Sequence, residues 1–467
     1  MKAAPLCLAV ILAGLGPEGK APAGTRAWVG ATLIDGTGGP AVENATIVVA
    51  GERITAAGPR GRVAIPEGAP RVDVAGKWIV PGLVDSRVSL SRSGSLFSRP
   101  DLVNLEDSVP LADEIAATRR RFDGSLARFL ACGVTTIVDS GGPLWTFECR
   151  ERAARLPAAP RVAIAGPVAS ARWAPPALVA GEEDDPPIIA FDTPESARDF
   201  VRRLLTREPD LVQVEFPYWP ENDVGDYEPI VRAAIDAAHE GGRRAAVRVR
   251  YLVTARAAVL AGADAILHGP EDAPLDDSLL AEMKRRGVVY ATSFMSFEAF
   301  SEVVRQEIAL SEPEKRFGDP EVIRSWDEVR KLPADHFPDP DFFPDIDPSP
   351  MLSQNLRRAR DAGLTLAAGS TAGNIGVLLG PSIHREFELL VRAGLTPGEV
   401  LLAATRGGAA LQGRSADLGT LAPGKLADFL VLDADPLKDV ANLARISSVV
   451  KGGAALDPAA LVPPPPR

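Results

Sequence analysis

Between Ile79 and Ala368 the chain alternates short apolar runs with amphipathic, helix-like stretches, and this alternation restricts the fold more than any other feature. Eight runs read as strands: Ile79 to Val84, Val134 to Asp139, Arg161 to Ala165, Leu211 to Phe216, Ala245 to Val249, Ala265 to His268, Val288 to Ser293 and Leu364 to Ala368. Short, nearly continuous apolar runs suit strands buried on both faces. Thr193-Pro194-Glu195 opens one intervening helix with a capping Thr and a Pro in its first turn. Thr396-Pro397-Gly398-Glu399 opens another with the spacing of a capping box. The alternation predicts the α/β class with parallel strands. Eight strands predict a (β/α)8 TIM barrel over residues 81–411, with any site at the C-terminal strand ends.

The two ends read differently. Residues 24–80 hold short strand-like runs separated by turns such as Gly36-Thr37-Gly38-Gly39-Pro40, and residues 412–456 hold Ala427 to Asp433 and Ile446 to Val450. Both ends together predict a composite β-sandwich domain. Residues 457–467, closing in Pro463-Pro464-Pro465-Pro466, predict a disordered Pro-rich tail. At the start, Lys2, the apolar run Ala3 to Leu15 and the ending Ala21-Pro22-Ala23 predict an export signal over residues 1–23 and a periplasmic or extracellular protein. That run is too short to span a bilayer as a helix, and no other segment reads as a membrane span.

A net charge of −11 with no dominant basic patch argues against nucleic-acid binding. Three cysteines do not make a disulfide framework, although Cys132 and Cys149 would be free to pair in an oxidising compartment. Two stretches exceed ordinary connections: Ala171 to Pro187, and Glu312 to Pro350 with Trp326, Phe337, Phe342 and Phe343. The aromatics of the second favour an ordered cover, with a peripheral flap as the alternative.

Several motifs carry a family resemblance. They are Pro81-Gly82-Leu83-Val84-Asp85, Gly133-Val134-Thr135-Thr136-Ile137-Val138-Asp139, Ala261 to Gly269, His384-Arg385-Glu386 ahead of Ala393-Gly394-Leu395-Thr396-Pro397, and Gly419 to Asp428. Together they resemble the amidohydrolase superfamily, nearest its imidazolonepropionase- and prolidase-like branch. The resemblance implies a hydrolase of carbon–nitrogen bonds in non-peptide or dipeptide substrates, using zinc or another divalent metal. In the family that metal is held by His-x-His on strand one, often a carboxylated Lys on strand four, one His each on strands five and six, and an Asp on strand eight.

This chain departs at most of those positions. Strand one offers Arg87 and Ser89, strand four Gln213, strand five Arg248, and Gly369-Ser370-Thr371 puts Thr371 at the Asp; His268 alone is retained. Guanidinium groups only donate hydrogen bonds, and a single His does not hold a catalytic zinc. No catalytic residue, metal or cofactor is therefore expected. The expected pocket comprises Arg87, Ser89, Asp139, Gln213, Glu215, Arg248, Arg250, His268, Ser370 and Thr371. Two readings stay open for it: an arginine–carboxylate network that fills the metal's place, or a pocket clamping a small anion. His268 is either a hydrogen-bonded core group or a participant in chemistry. His239 reads as a helix-end residue, His336 as a solvated loop residue, and Cys132 as a small buried hydrophobe. The expectation is a degenerate, metal-free pseudoenzyme that binds an anionic small molecule or a partner, either another copy or an intact paralogue. The alternative is an active metal-dependent hydrolase with rearranged ligands, such as Glu215, His268 and a loop Asp.

Overall fold

The computed structural model describes residues 24–174, 184–220, 222–332 and 349–462. The expected export signal, His336, Phe337, Phe342, Phe343 and residues 463–467 of the tail lie outside the described residues. The first strands are β1 (Thr25–Leu33), β2 (Val42–Ala50), β3 (Arg53–Pro59), β4 (Arg71–Asp73) and β5 (Trp78–Pro81). Then come β6 (Leu83–Val88), β7 (Val134–Asp139), β8 (Arg161–Ile164), β9 (Val168–Ala171), β10 (Ile188–Phe191), β11 (Leu211–Glu215), β12 (Arg244–Val249), β13 (Ala265–His268), β14 (Val289–Thr292) and β15 (Thr365–Ala368). The last are β16 (Phe429–Leu432), β17 (Ile446–Lys451) and β18 (Ala454–Leu456).

Strands from both chain ends join one eight-stranded sheet, ordered β18-β17-β16-β5-β1-β2-β3 with β4 on β1, where the sequence predicted a sandwich. Parallel strands form the rest, a three-stranded sheet β6-β7-β8 and a seven-stranded sheet β10-β9-β11-β12-β13-β14-β15. Alternate residues of these strands enter different apolar clusters. Val84, Val138, Leu211, Ala246, Leu267 and Ala291 belong to one. Leu83, Ile137, Val212, Val247, Ile266 and Tyr290 belong to another, with the helices. Burial on both faces explains why the runs are continuously apolar.

Three sequence expectations are corrected. The predicted first strand, Ile79 to Val84, is two strands. β5 pairs with β1 and β16, whereas β6 runs parallel to β7. They part at Gly82, where a Cβ would lie 2.1 Å from Thr135 Oγ1 and the N–H donates to Asp428 O at 2.9 Å. Two strands that the sequence did not predict, β9 and β10, lie on either side of the long stretch Ala171 to Pro187 and pair with each other. β9 itself continues β8 after a bend at Gly166, whose φ is +73°. Before the bend the strand bonds to β7, and after it to β11. The tail is the third correction. Pro458–Leu461 is a short helix capped by Asp457, and Leu461 and Val462 pack on Cys132 and Phe317.

The long second connection is an ordered cover as far as it is described. Helices Glu312–Phe317 and Pro320–Trp326 seat Trp326 in an apolar cluster with Leu96, Val103 and Phe300. The Trp326 indole N–H donates to Gly94 O at 2.9 Å.

No regular ladder joins β15 to β6. That seam is carried by Thr371 N–H to Arg87 O and Ser89 N–H to Ala372 O, each 2.8 Å. Asp85, buried on β6, completes it by accepting from the Ser370 N–H (2.9 Å) and the Ser370 hydroxyl (2.5 Å). Burial raises the Asp85 carboxyl to about 6 despite these bonds. Asp85→Ala strands a buried N–H and a buried hydroxyl, which costs about 2–4 kcal/mol. Urea denaturation should show that loss, and an unchanged midpoint would refute the seam's role.

Candidate functional site

Two charged groups sit side by side at the ends of adjacent strands. Glu215 and Arg248 are register partners on β11 and β12, and Arg248 Nη1 donates to Glu215 Oε1 at 2.9 Å. Arg248 Nε is buried and finds no partner among the described residues. Arg87 ends β6, and its Nη1 is also buried without a partner there. Burial, then the neighbouring charge of Arg248, lowers the Arg87 guanidinium to about 9. Glu215 and Glu386 act in the opposite sense. Both arginine residues keep partial exposure, so the pair opens to the surface.

His268 closes β13 with an unusual backbone. Its φ is +78°, and Gly269 follows at +98°. The left-handed region is costly for a residue with a Cβ and gathers at functional sites. The ring lies 4.9 Å from the Phe297 ring, its Nε2 is paired with Glu271 and its Nδ1 is buried without a partner among the described residues. Glu271 also takes Arg250, with Arg250 Nη2 donating at 2.8 Å. Burial is opposed by the bonds from His268 and Arg250, which hold the Glu271 carboxyl at about 2. Burial, with Arg248 and Arg87 adding to it against the pull of Glu271, lowers His268 to about 4. His268 is therefore a neutral ring at neutral pH.

The other expected residues divide. Thr371 (φ +58°) spends its hydroxyl on Ser370 O at 2.5 Å, and Ser370 serves Asp85. Both belong to the seam. Ser89 is partly exposed beside it. Gln213 is buried on β11, two residues before Glu215, with its Oε1 unpartnered among the described residues. Asp139 departs from expectation. Its Oδ1 accepts from Leu90 N–H at 2.9 Å, so it anchors the loop after β6. Burial raises its carboxyl to about 7, with Arg92 the charge opposing that rise.

Sequence reasoning missed Glu271, the hydrogen-bond partner of His268 and the counter-ion of Arg250, although it stands only three residues past His268. It also missed Asn374, which accepts from Arg99 Nη1 at 2.9 Å and Arg92 Nη1 at 3.3 Å. Glu386 caps the helix Met295–Arg305 through Met295 N–H at 2.9 Å. His384 bonds Cys132 O at 3.0 Å, and His239 pairs with Asp264 at 2.8 Å; both are structural. Cys132 and Cys149 are separate buried thiols.

A divalent metal does not fit this donor set. Two guanidinium groups would face it, Glu215 serves Arg248, and His268 Nε2 serves Glu271. Among the described residues no three His, Cys, Asp or Glu side chains converge as a metal site. Nor, among them, is any helix long and apolar enough to cross a membrane.

Residues 329–456 match the amidohydrolase family. Over 81 residues the chain is 47% identical to imidazolonepropionase of Streptomyces avermitilis and 43% identical to that of Streptomyces griseus subsp. griseus. The match covers 17% of this chain and 19% and 20% of those proteins, about a fifth of the relatives' length. In structure the chain is similar to a Bifidobacterium longum protein provisionally described as a prolidase (25% identity, TM-score 0.67, 92% of this chain and 94% of that one). It is also similar to molinate hydrolase (21%, TM-score 0.71, 96% and 98%) and to a Xaa-Pro dipeptidase with methionine bound in its active site (21%, TM-score 0.67, 93% and 100%). The family match over residues 329–456 and these likenesses together support the amidohydrolase superfamily for this chain.

The neutral state of His268 has a measurable consequence. An unfolded His takes a proton near 6.5 and the folded one only near 4. Between those values the unfolded chain binds more protons, so stability falls as pH drops from 6.5 towards 4. His268→Gln should make the stability–pH slope in that window shallower by up to one proton in denaturation titrations. An identical slope would show that His268 is already charged in the fold.

Proposed function

We propose that this protein is a metal-free member of its superfamily that binds a small anion, a carboxylate or a phosphate, between Arg87 and Arg248. The observation that carries this reading is the pair of buried guanidinium nitrogens, Arg87 Nη1 and Arg248 Nε, that have no partner among the described residues, with the charge of Arg248 acting against that of Arg87. One carboxylate, Glu215, is bonded to one of them, leaving donors that an anion would fill. The network reading accounts well for Arg250, which Glu271 neutralises. Among the described residues it leaves Arg87 without a bonded counter-ion. Gln213 Oε1 offers an acceptor for an N–H or O–H on the bound molecule.

The former-hydrolase scaffold supports the reading as well. Eight parallel strands with both faces buried, and the bonds of Asp85, Ser370 and Thr371 between β15 and β6, support a (β/α)8 barrel over 81–411. A composite domain from 24–80 and 412–456 is supported by the shared sheet. We propose export with cleavage of a signal over residues 1–23; mass spectrometry of the N-terminus of the protein purified from its native cells tests it, and a retained Met1 would refute the cleaved signal. The rearranged-ligand alternative requires Glu215 to leave Arg248 and His268 to leave Glu271, and no observation favours that.

Thermal unfolding tests the anion site. Millimolar acetate or phosphate should raise the melting temperature by a few degrees in a saturable way. Arg248→Met and Arg87→Met should each remove the effect. The purified protein should carry less than about 0.1 equivalent of zinc or other transition metal. A full equivalent retained after dialysis and lost in His268→Ala would overturn the metal-free reading.

A further inference from the structure

The charged pocket has a second tier. Ser170, Glu215 and Arg248 are aligned as register partners across three neighbouring strands, β9, β11 and β12. Three or four residues beyond each of them the chain places an aromatic: Trp173 after β9, Tyr218 and Trp219 after β11, Tyr251 after β12. The four meet in pairs. Trp173 and Trp219 pack edge to face with ring centroids 5.4 Å apart, and Tyr218 and Tyr251 do the same at 5.4 Å. Ser170 ties the first branch down, its hydroxyl donating to Trp173 O at 2.5 Å.

These rings are not core. Trp173 is 39% exposed and Trp219 36%, and they are two of the five exposed large hydrophobics among the described residues. Val253, also 39% exposed, follows Tyr251 by two residues. Single exposed apolar residues are ordinary, but two indoles packed edge to face just past the ends of β9 and β11 form a paired apolar surface.

Resting on the anion-binding reading above, we propose that the natural ligand is an amphipathic acid. Its carboxylate sits between Arg87 and Arg248, and a flat aromatic or apolar group at the other end of a short spacer lies against Trp173 and Trp219. Charge complementarity fixes which end enters. The guanidinium groups of Arg87 and Arg248 would take the carboxylate, Glu271 neutralises Arg250, and the apolar end would lie on the exposed indoles. A short inorganic anion would fill the guanidinium site and leave the indoles exposed to water, whereas an arylalkyl acid covers both.

The test is a series of ω-phenylalkanoates, from phenylacetate to 6-phenylhexanoate, compared with butanoate. Binding is read by tryptophan fluorescence and by melting temperature on the full chain. The best member should bind at least ~10-fold tighter than butanoate, as expected for burying one phenyl ring. Trp219→Ala should erase that gain and leave butanoate affinity unchanged, because the residue is exposed and not part of the guanidinium site. Trp173→Ala should do the same. Arg248→Met should lose butanoate and the phenyl acids together. If no phenylalkanoate outbinds butanoate, or if the gain survives in both tryptophan variants, the platform is overturned while the anion site stands. If no carboxylate binds at all, both ideas fall. If sedimentation shows a dimer that Trp219→Ala dissociates with ligand affinities unchanged, the indoles are a subunit contact and the proposal is wrong.

Discussion

One buried carboxylate holds the architecture of the site together. Asp85 sits on β6 and takes both hydrogen-bonding groups of Ser370, just past β15. It therefore spans the first and last parallel strands, whose connection is otherwise only a few backbone bonds. It also accepts from the N–H of Arg87 at 3.3 Å. The same oxygen that helps join the strands thus fixes where the first guanidinium stands. Everything at the strand ends inherits its position from this seam: Arg87, the left-handed turn at Thr371, and the loop that Asp139 pins through Leu90. A carboxylate here tolerates burial because each oxygen has a donor, and unmet donors, not lost charge, would dominate the cost of its removal.

Above the seam the site is organised by how its charges are shared. Glu215 bonds to Arg248 alone, whereas Glu271 serves Arg250 and His268 together. The result is a gradient. Towards Arg250 the charges balance, and towards Arg87 positive charge is in excess. Low-dielectric surroundings amplify that excess. A metal ion at this place would meet two fixed cations, while an anion would meet their unsatisfied N–H groups.

Much of this was legible in the residues. The seven parallel strands predicted from Val134 onward fall within a residue or two of their sequence limits, because doubly buried strands must be apolar throughout. The first strand was misjudged for the same reason. β5 and β6 are both buried, so nothing in the apolar run Ile79 to Val84 shows that the chain changes sheets at Gly82. The bend at Gly166 read as a strand end, although the strand resumes on a different neighbour. At the site, the arginines were visible from motif position, but their partners were not. Glu271 sits on a loop whose geometry depends on the backbone turn at His268 and Gly269. Asn374 meets Arg99 across 275 residues of chain. Asp139 shares the strand-end level of the pocket, yet its partner Leu90 draws it into the scaffold.

The stitching of Arg87 has a further consequence. Its N–H is held by Asp85 and its carbonyl by Thr371 N–H, so the residue that presents the unpartnered guanidinium nitrogen is also a strand joint. Any molecule gripping its side chain also immobilises the joint. Occupancy at the strand ends would then be felt as slower breathing between the first and last strands, and amide hydrogen exchange at Thr371 and Ala372 becomes a reporter of an event several side-chain lengths away. A site built into a joint would not need a moving lid to signal that it is full, because the stiffness of the strands it joins would carry the message.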